Sequence, residues 1–342
     1  MSENSKIEWT DHTFNPWEGC QKVGPGCDHC YAETRNARFG GGVAVNWGPG
    51  APRRRTSPAN WRKPLAWNAN HDAFFGEHGR RQRVFCASLA DVFDNAVDPA
   101  WRADLFHLIE QTPNLDWLLL TKRIGNADRM IREARISLVG STRLVVPEVL
   151  PNVWLGATIV NQAEADRDIP KLLAVPAHVR FLSMEPLLGP VDLGVIDIDG
   201  HSEIYPLKGT AGCEDVEGNA APDLPAIDWV IVGGESGPGA RPMSPDWARS
   251  LRDQCRRAGV PFLLKQWGEF VPYEHDAQPP FLTSQHGDFF DGHGLPDFES
   301  GESCGDWHRD ETCRLLARRV GKKAAGRLLD GVQHDGFPGE AA

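Results

Sequence analysis

The chain has 342 residues, 41% of them apolar, and its 36 Lys and Arg against 47 Asp and Glu give a net charge of −11. That length admits one large α/β domain with insertions or two smaller domains, and the acidic balance excludes a bulk nucleic-acid coat protein while leaving room for a local basic groove. No apolar run approaches the roughly 18–20 residues that cross a bilayer, and Met1-Ser2-Glu3-Asn4-Ser5-Lys6 has no apolar signal segment, so the expectation is a cytoplasmic protein with no membrane contact.

A first strand is expected near residues 10–15. Directly after it come Asn15-Pro16-Trp17-Glu18-Gly19-Cys20 and Gly26-Cys27-Asp28-His29-Cys30-Tyr31-Ala32, a C-x6-C-x2-C run. Residues 51–83 then carry Arg53, Arg54, Arg55, Arg62, Lys63, Arg80, Arg81 and Arg83, opposed only by Asp72 and Glu77. Trp17, Trp47, Trp61 and Trp67 flank this stretch and belong to no core stripe. Basic plus aromatic is a nucleic-acid or nucleotide footprint. A solvated loop is the other reading.

From residue 83 one grammar repeats: a short apolar run, polar residues at its end, then a helical pattern. The runs cover 83–88, 116–121, 152–158, 178–183, 228–233 and 260–265, which makes about seven strands with the first. Near-continuous apolar strands are buried on both faces, the mark of a parallel sheet. Asp98-Pro99 and Ser244-Pro245 each pair a cap with proline at the first helical position, and Gly259 ends the second of these helices. Asn161 and Glu164 have capping-box spacing, with Pro170 expected to end or kink that helix. Trp101, Leu105 and Leu108 form one helical stripe, and Trp247, Leu251 and Cys255 another.

Strand–helix alternation without a glycine-rich dinucleotide fingerprint favours a complete or partial (β/α) TIM-type barrel over a doubly wound sheet. The barrel domain is expected over 1–270, with its cysteine loop at 16–32 and an insertion at 194–226. Residues 271–342 read as an irregular extension with one last helix within 314–329.

Three clustered thiols can hold a metal centre and leave one coordination position open. Zinc is one reading, with His12, His29 or Cys86 as the fourth ligand. Three free thiols in a loop is another, and an iron–sulfur cluster with three protein ligands is the third. Cys86, Cys213, Cys255, Cys304 and Cys313 are scattered, unlike a secreted disulfide framework, and Cys213, Cys304 and Cys313 are too far apart in the sequence to claim a second cluster.

The Asn15-Pro16-Trp17-x-Gly19-Cys20 run, closing with Cys30-Tyr31-Ala32, resembles the radical S-adenosylmethionine (radical SAM) superfamily. It is similar to the branch that contains spore photoproduct lyase. More closely, residues 7–267 and the segment Val320-Gly321-Lys322-Lys323-Ala324-Ala325-Gly326-Arg327 resemble an uncharacterised family of phage and bacterial three-cysteine proteins. The usual superfamily spacing is C-x3-C-x2-C, so the first gap here is three residues longer.

The resemblance implies a 4Fe–4S cluster on Cys20, Cys27 and Cys30, with SAM on the fourth iron and an external electron donor. It implies hydrogen abstraction from a substrate, for which a nucleic acid or nucleotide is the expectation. It places His29 near the SAM adenine and Tyr31 beside the last ligand.

Residues at strand C-terminal ends are the next candidates, because barrel sites are built there. Ser88, Asp91, Lys122, Glu185 and Lys265 are the catalytic candidates. Thr121, Lys122, Arg123 and Thr158 are candidates for the cofactor; the adjacent cations Lys122 and Arg123 suit either the SAM carboxylate or a substrate phosphate. Candidates for the cofactor too are Gly233, Gly234 and Glu235. The last three match in letters the superfamily's glycine-glycine-glutamate element, at a later strand than usual. The competing functions are a zinc-stabilised nucleic-acid adaptor and a barrel phosphohydrolase using Asp91, Glu185 and Glu235.

Overall fold

Seven parallel strands carry the molecule: β1 (His12–Phe14), β2 (Gln82–Cys86), β3 (Leu115–Thr121), β4 (Val153–Thr158), β5 (Val179–Met184), β6 (Trp229–Gly233) and β7 (Phe262–Gln266). The computed structural model describes residues 5–139, 149–198, 202–212, 224–272, 303–304, 307–309 and 316–339. The strands pair in sequence order, each with the next, and every pairing is parallel. With right-handed crossovers, that order sends all connecting helices to one face and curls the sheet. The result is a curled seven-stranded half-barrel surrounded by helices.

The two faces bury separate cores. Val84, Trp117, Leu119, Leu155, Leu182, Val230 and Leu264 point outward, against Leu105 and Ile109 of α2 (Pro99–Gln111), Ile169 and Leu172 of α4 (Gln162–Ala174), and Leu251 of α5 (Pro245–Ala258). Between the first two of these lies α3 (Ala127–Val139), and α1 (Tyr31–Phe39) follows the cysteine run. The alternate residues Phe85, Leu118, Trp154, Phe181, Trp229, Ile231 and Leu263 point inward with Trp9. Period-two alternation within nearly all-apolar strands thus fills both layers. Inside, Trp9 lies 4.6 Å from Phe85 between ring centroids, and Trp154 meets Trp229 edge-on at 6.1 Å.

The far edge of β7 is covered by the C-terminal segment. Leu264 N donates to His334 O and Gly336 N to Phe262 O. Phe337 then reaches under the barrel floor, 5.0 Å from Trp229, with the Arg83 guanidinium 3.9 Å above its ring.

The caps act as their residue types dictate. Asp98 accepts from Ala100 N, Ser244 from Asp246 N and Asn161 from Glu164 N. Pro170 does not end its helix, which runs four residues further to Ala174, because Ile169, Leu172 and Leu173 are buried on the outer core. Trp17 and Trp67 are core residues rather than free ones: Trp17 is fully buried, and Trp67 stacks on His12 at 4.1 Å. Trp47 and Trp61 are half-buried.

Within 194–226, Ile196–Asp197, Glu203–Tyr205 and Thr210–Gly212 form a small antiparallel sheet. Within 271–342, Leu316–Arg319 pairs with Phe270–Pro272 and with Trp307–Arg309. The expected helix over 314–329 is only Lys322–Ala325, since Gly321 and Gly326 beside it hold positive φ and stop it on both sides. Residues 199–201, 213–223, 273–302, 305–306, 310–315 and 340–342, with Cys213 and Cys313, lie outside the described residues.

Candidate functional site

Parallel strands end on one side, and there a cavity of about 460 Å³ opens. Cys20, Cys27 and Cys30 all line it, with His29 and Tyr31. So do Ser88 and Asp91 after β2, Thr121 at the end of β3 with Lys122 and Arg123 just after it, and Thr158 from β4. Glu185 after β5, Gly234 and Glu235 after β6, and Lys265 from β7 complete the set of expected residues. Gly233 is not on the wall; it backs onto Glu185, whose carboxyl carbon would lie 3.1 Å from a Cβ there.

The turn after β1 is held by its own asparagine. Asn15 Oδ1 accepts from Leu89 N at 2.7 Å, Asn15 Nδ2 donates to Ser88 Oγ at 3.0 Å, and the Asn15 carbonyl accepts from Thr56 and Asn60. Tyr31 OH closes the same corner by donating to Ser88 O. Asn15 therefore ties the start of the cysteine run to the end of β2, and Ser88 is part of that tie.

Asp91, only 5% exposed, organises the next stretch of wall. It accepts from Thr121 Oγ1 at 2.8 Å, from Phe93 N at 2.9 Å and from Lys122 N at 3.0 Å, with Arg123 Nη1 at 3.3 Å. Arg123 continues to the cysteine run, donating to Gln21 O at 2.9 Å and to Cys20 Sγ at 3.4 Å. Burial pushes the Cys20 thiol up to about 11, Asp91 adds to the rise, and Arg123 opposes it.

The opposite side of the run is fastened to β6. Glu235 accepts from Arg241 through Nη2 at 2.7 Å, Nε at 2.9 Å and the backbone N at 2.8 Å, and lies 3.1 Å from His29 Nδ1. The same guanidinium donates to Asp28 Oδ2 at 3.0 Å and Pro25 O at 2.9 Å. Burial pushes the Glu235 carboxyl up, but Arg241 and His29 outweigh it and hold it below the usual range. Gly234 allows this geometry, since a Cβ there would stand 2.0 Å from Trp267 O. Glu185 is bound as firmly: Lys265 Nζ reaches both its oxygens at 2.6 and 2.9 Å, and Gln266 Nε2 donates at 2.6 Å.

The three cysteines line the same cavity without forming a closed ligand sphere. None is in a disulfide, and among the described residues no group of three His, Cys, Asp or Glu side chains is arranged to hold a metal ion. Of the fourth ligands considered for zinc, His12 pairs with Gln82 at 2.7 Å, Cys86 is sealed in the outer core, and His29 faces Glu235.

The basic stretch is largely spent on internal ion pairs. Arg53 meets Asp94, Arg54 meets Glu18, Arg55 meets Asp104, and Arg80 and Arg81 meet Asp11 and Asp116. Trp9, Arg241 and Lys322 are site residues that sequence reasoning did not single out. Arg241 stands in a loop of ordinary composition, and Lys322 lies 56 positions beyond the last residue of β7.

No curated protein and no solved structure is similar enough to match. A family model does match residues 4–338, and by it the chain belongs to the family described as proteins of unknown function, DUF5131.

Proposed function

We propose that this chain is a radical SAM enzyme built on a partial (β/α) TIM-type barrel, with Cys20, Cys27 and Cys30 as the ligands of a 4Fe–4S cluster. The observation that carries this is the convergence of the C-x6-C-x2-C thiols on one cavity at the C-terminal ends of parallel strands. The donor set fits such a cluster in number and chemistry, with three free cysteines lining one cavity. When bound, the cluster supplies one-electron reduction of SAM, and through it hydrogen abstraction from a substrate.

The chain's own residues do the rest. Arg123 orients Cys20 and offsets negative charge on its sulfur. Arg241 and Glu235 hold the segment that carries Cys27 and Cys30 against β6. Inward aromatic rings close the barrel below the cavity and exclude water. Thr158 and Ser183 offer hydroxyls to a ligand. The electron comes from an external donor, and a nucleotide or nucleic acid is the proposed substrate. A cytoplasmic setting goes with that chemistry.

A phosphohydrolase has less support, because Asp91, Glu185 and Glu235 each already hold a cation. The test is to purify the protein without oxygen and assay iron, sulfide and zinc. About four iron and four sulfide per chain, lost on replacing any of the three cysteines by alanine, supports the proposal. So does release of methionine and 5′-deoxyadenosine after reduction with SAM. Colourless protein holding zinc and refusing iron under anaerobic reconstitution overturns it.

A further inference from the structure

The charges on the cavity wall cancel in pairs, with two left over. Arg123 is matched by Asp91, Lys265 by Glu185, Glu235 by Arg241, and Lys22 by Glu33. Among the described residues Lys122 Nζ makes one hydrogen bond, to the Thr158 hydroxyl at 3.3 Å, and no ion pair, with the Glu164 carboxylate acting on it from farther off. Lys322 has no carboxylate partner among the described residues. In a chain of net charge −11, this is a local positive excess facing a cavity.

Lys322 is not on the wall by accident of a loose tail. Its short helix is pinned at both ends to the chain leaving β7. Val320 N and Gly321 N donate to Glu269 O at 3.0 Å, and Gly326 O accepts from Trp267 N at 3.2 Å. Trp267 Nε1 donates to Leu328 O at 2.8 Å just beyond.

Among the described residues, three buried polar atoms on residues lining the same cavity have no hydrogen-bond partner; His29 Nδ1 lies 3.1 Å from the Glu235 carboxylate. Of the other two, one is a donor, Trp9 Nε1, and one an acceptor, Gln266 Oε1. Trp9 is 2% exposed and Gln266 6%. Orphaned buried groups of this kind are rare unless something else completes them. Around Trp9 the lining is apolar, with Ile7, Phe85 and Leu120. The complement is a flat, largely apolar body with donor and acceptor edges, joined to a compact anion. Lysine ammonium groups act as point charges and suit a phosphate.

We propose that this cavity binds a nucleoside phosphate, its phosphate held by Lys122, just after β3, and Lys322 from the C-terminal segment, and its base over the Trp9 end. The proposal does not depend on what the three thiols hold.

The experiment is calorimetric titration of the full chain with the four common nucleoside monophosphates and with their nucleosides. Iron is assayed in the same sample, so that failure of the cluster and failure of this site are told apart. At least one monophosphate is expected to bind about tenfold or more tighter than its nucleoside, with affinity falling as salt rises. Lys322→Met is expected to weaken that monophosphate about tenfold and leave the nucleoside unchanged. Lys322→Arg, which keeps the charge, is expected to retain most of the binding. Lys323→Met, one position along and off the cavity wall, is expected to bind as wild type. Equal affinity for nucleotide and nucleoside, binding of neither, or equal losses in the Lys322 and Lys323 variants overturns the proposal.

Discussion

Replacing Arg241 with alanine removes four side-chain hydrogen bonds, two to Glu235 and one each to Asp28 and Pro25. Asp28 is half exposed, so water replaces that bond at little cost. Glu235 is different: its side chain is 6% exposed and, among the described residues, keeps the Arg241 N–H and His29 alone. Removing one partner of a buried ion pair costs about 3–5 kcal/mol. Arg241 is itself a third exposed, so water reaches the gap, and the discounted loss is about 2–3 kcal/mol. Unfolding entropy of about 2.1 cal/mol/K per residue makes that a fall in Tm of roughly 3–4 °C for a chain this long.

The pH dependence is a sharper test. Burial raises the Glu235 carboxyl, but Arg241 and His29 lower it further, so its folded pKa lies below the unfolded value. A depressed carboxylate contributes stability that is present above the unfolded pKa, about 4.3, and lost as pH falls through the folded value. The gap in Tm between wild type and Arg241→Ala is therefore full at pH 7 and shrinks below about pH 4. Hydrogen exchange at residues 25–29 reads the loop directly and speeds up in the variant. Unchanged Tm and exchange at pH 7, or a gap in Tm that persists undiminished in acid, would refute the assignment of Arg241 as the fastener of the cysteine loop.

Other perturbations follow from the same geometry. Gly234→Ala drives a methyl into Trp267 O and is expected to cost about 3 kcal/mol in urea unfolding, against less than 1 kcal/mol if the backbone can yield freely. Lys265→Met strands the Glu185 carboxylate beside Gln266 and is expected to cost about 3 kcal/mol; adding Glu185→Gln should restore most of it, and strict additivity of the two changes would count against the pair. Phe337→Ala removes the ring beneath Trp229 and Arg83, and a thermal melt is expected to show about 2 kcal/mol lost. A neutral result there would mean that the C-terminal segment is not holding the barrel floor.

Residues that act through their own chemistry were legible before any fold was known. The seven strand runs, the caps at Asp98, Asn161 and Ser244, and the thiol spacing all rest on local backbone preferences or on side-chain type. The candidate site was legible where strand ends could be counted, which is why Thr121, Thr158, Glu185 and Lys265 stand on one wall. Pro170 does not end its helix, because burial of the residues around it outweighs the cost of one missing donor. Trp17 and Trp67 misled because they lie outside any periodic stripe, and only the packing of separate segments buries them.

By itself the sequence determined the strand–helix alternation, the helix starts and the presence of three clustered thiols, since each depends on residues close along the chain. Tertiary structure alone decided which polar groups are spent on one another and which are left over. Asp91 is consumed by β3, Glu185 by β7 and Glu235 by Arg241, whereas Lys122 and Lys322 come from segments 200 positions apart in the sequence and face one cavity. Ion pairing and hydrogen bonding act over a few ångströms of space, whatever the separation along the chain, so no local pattern could reveal that sorting.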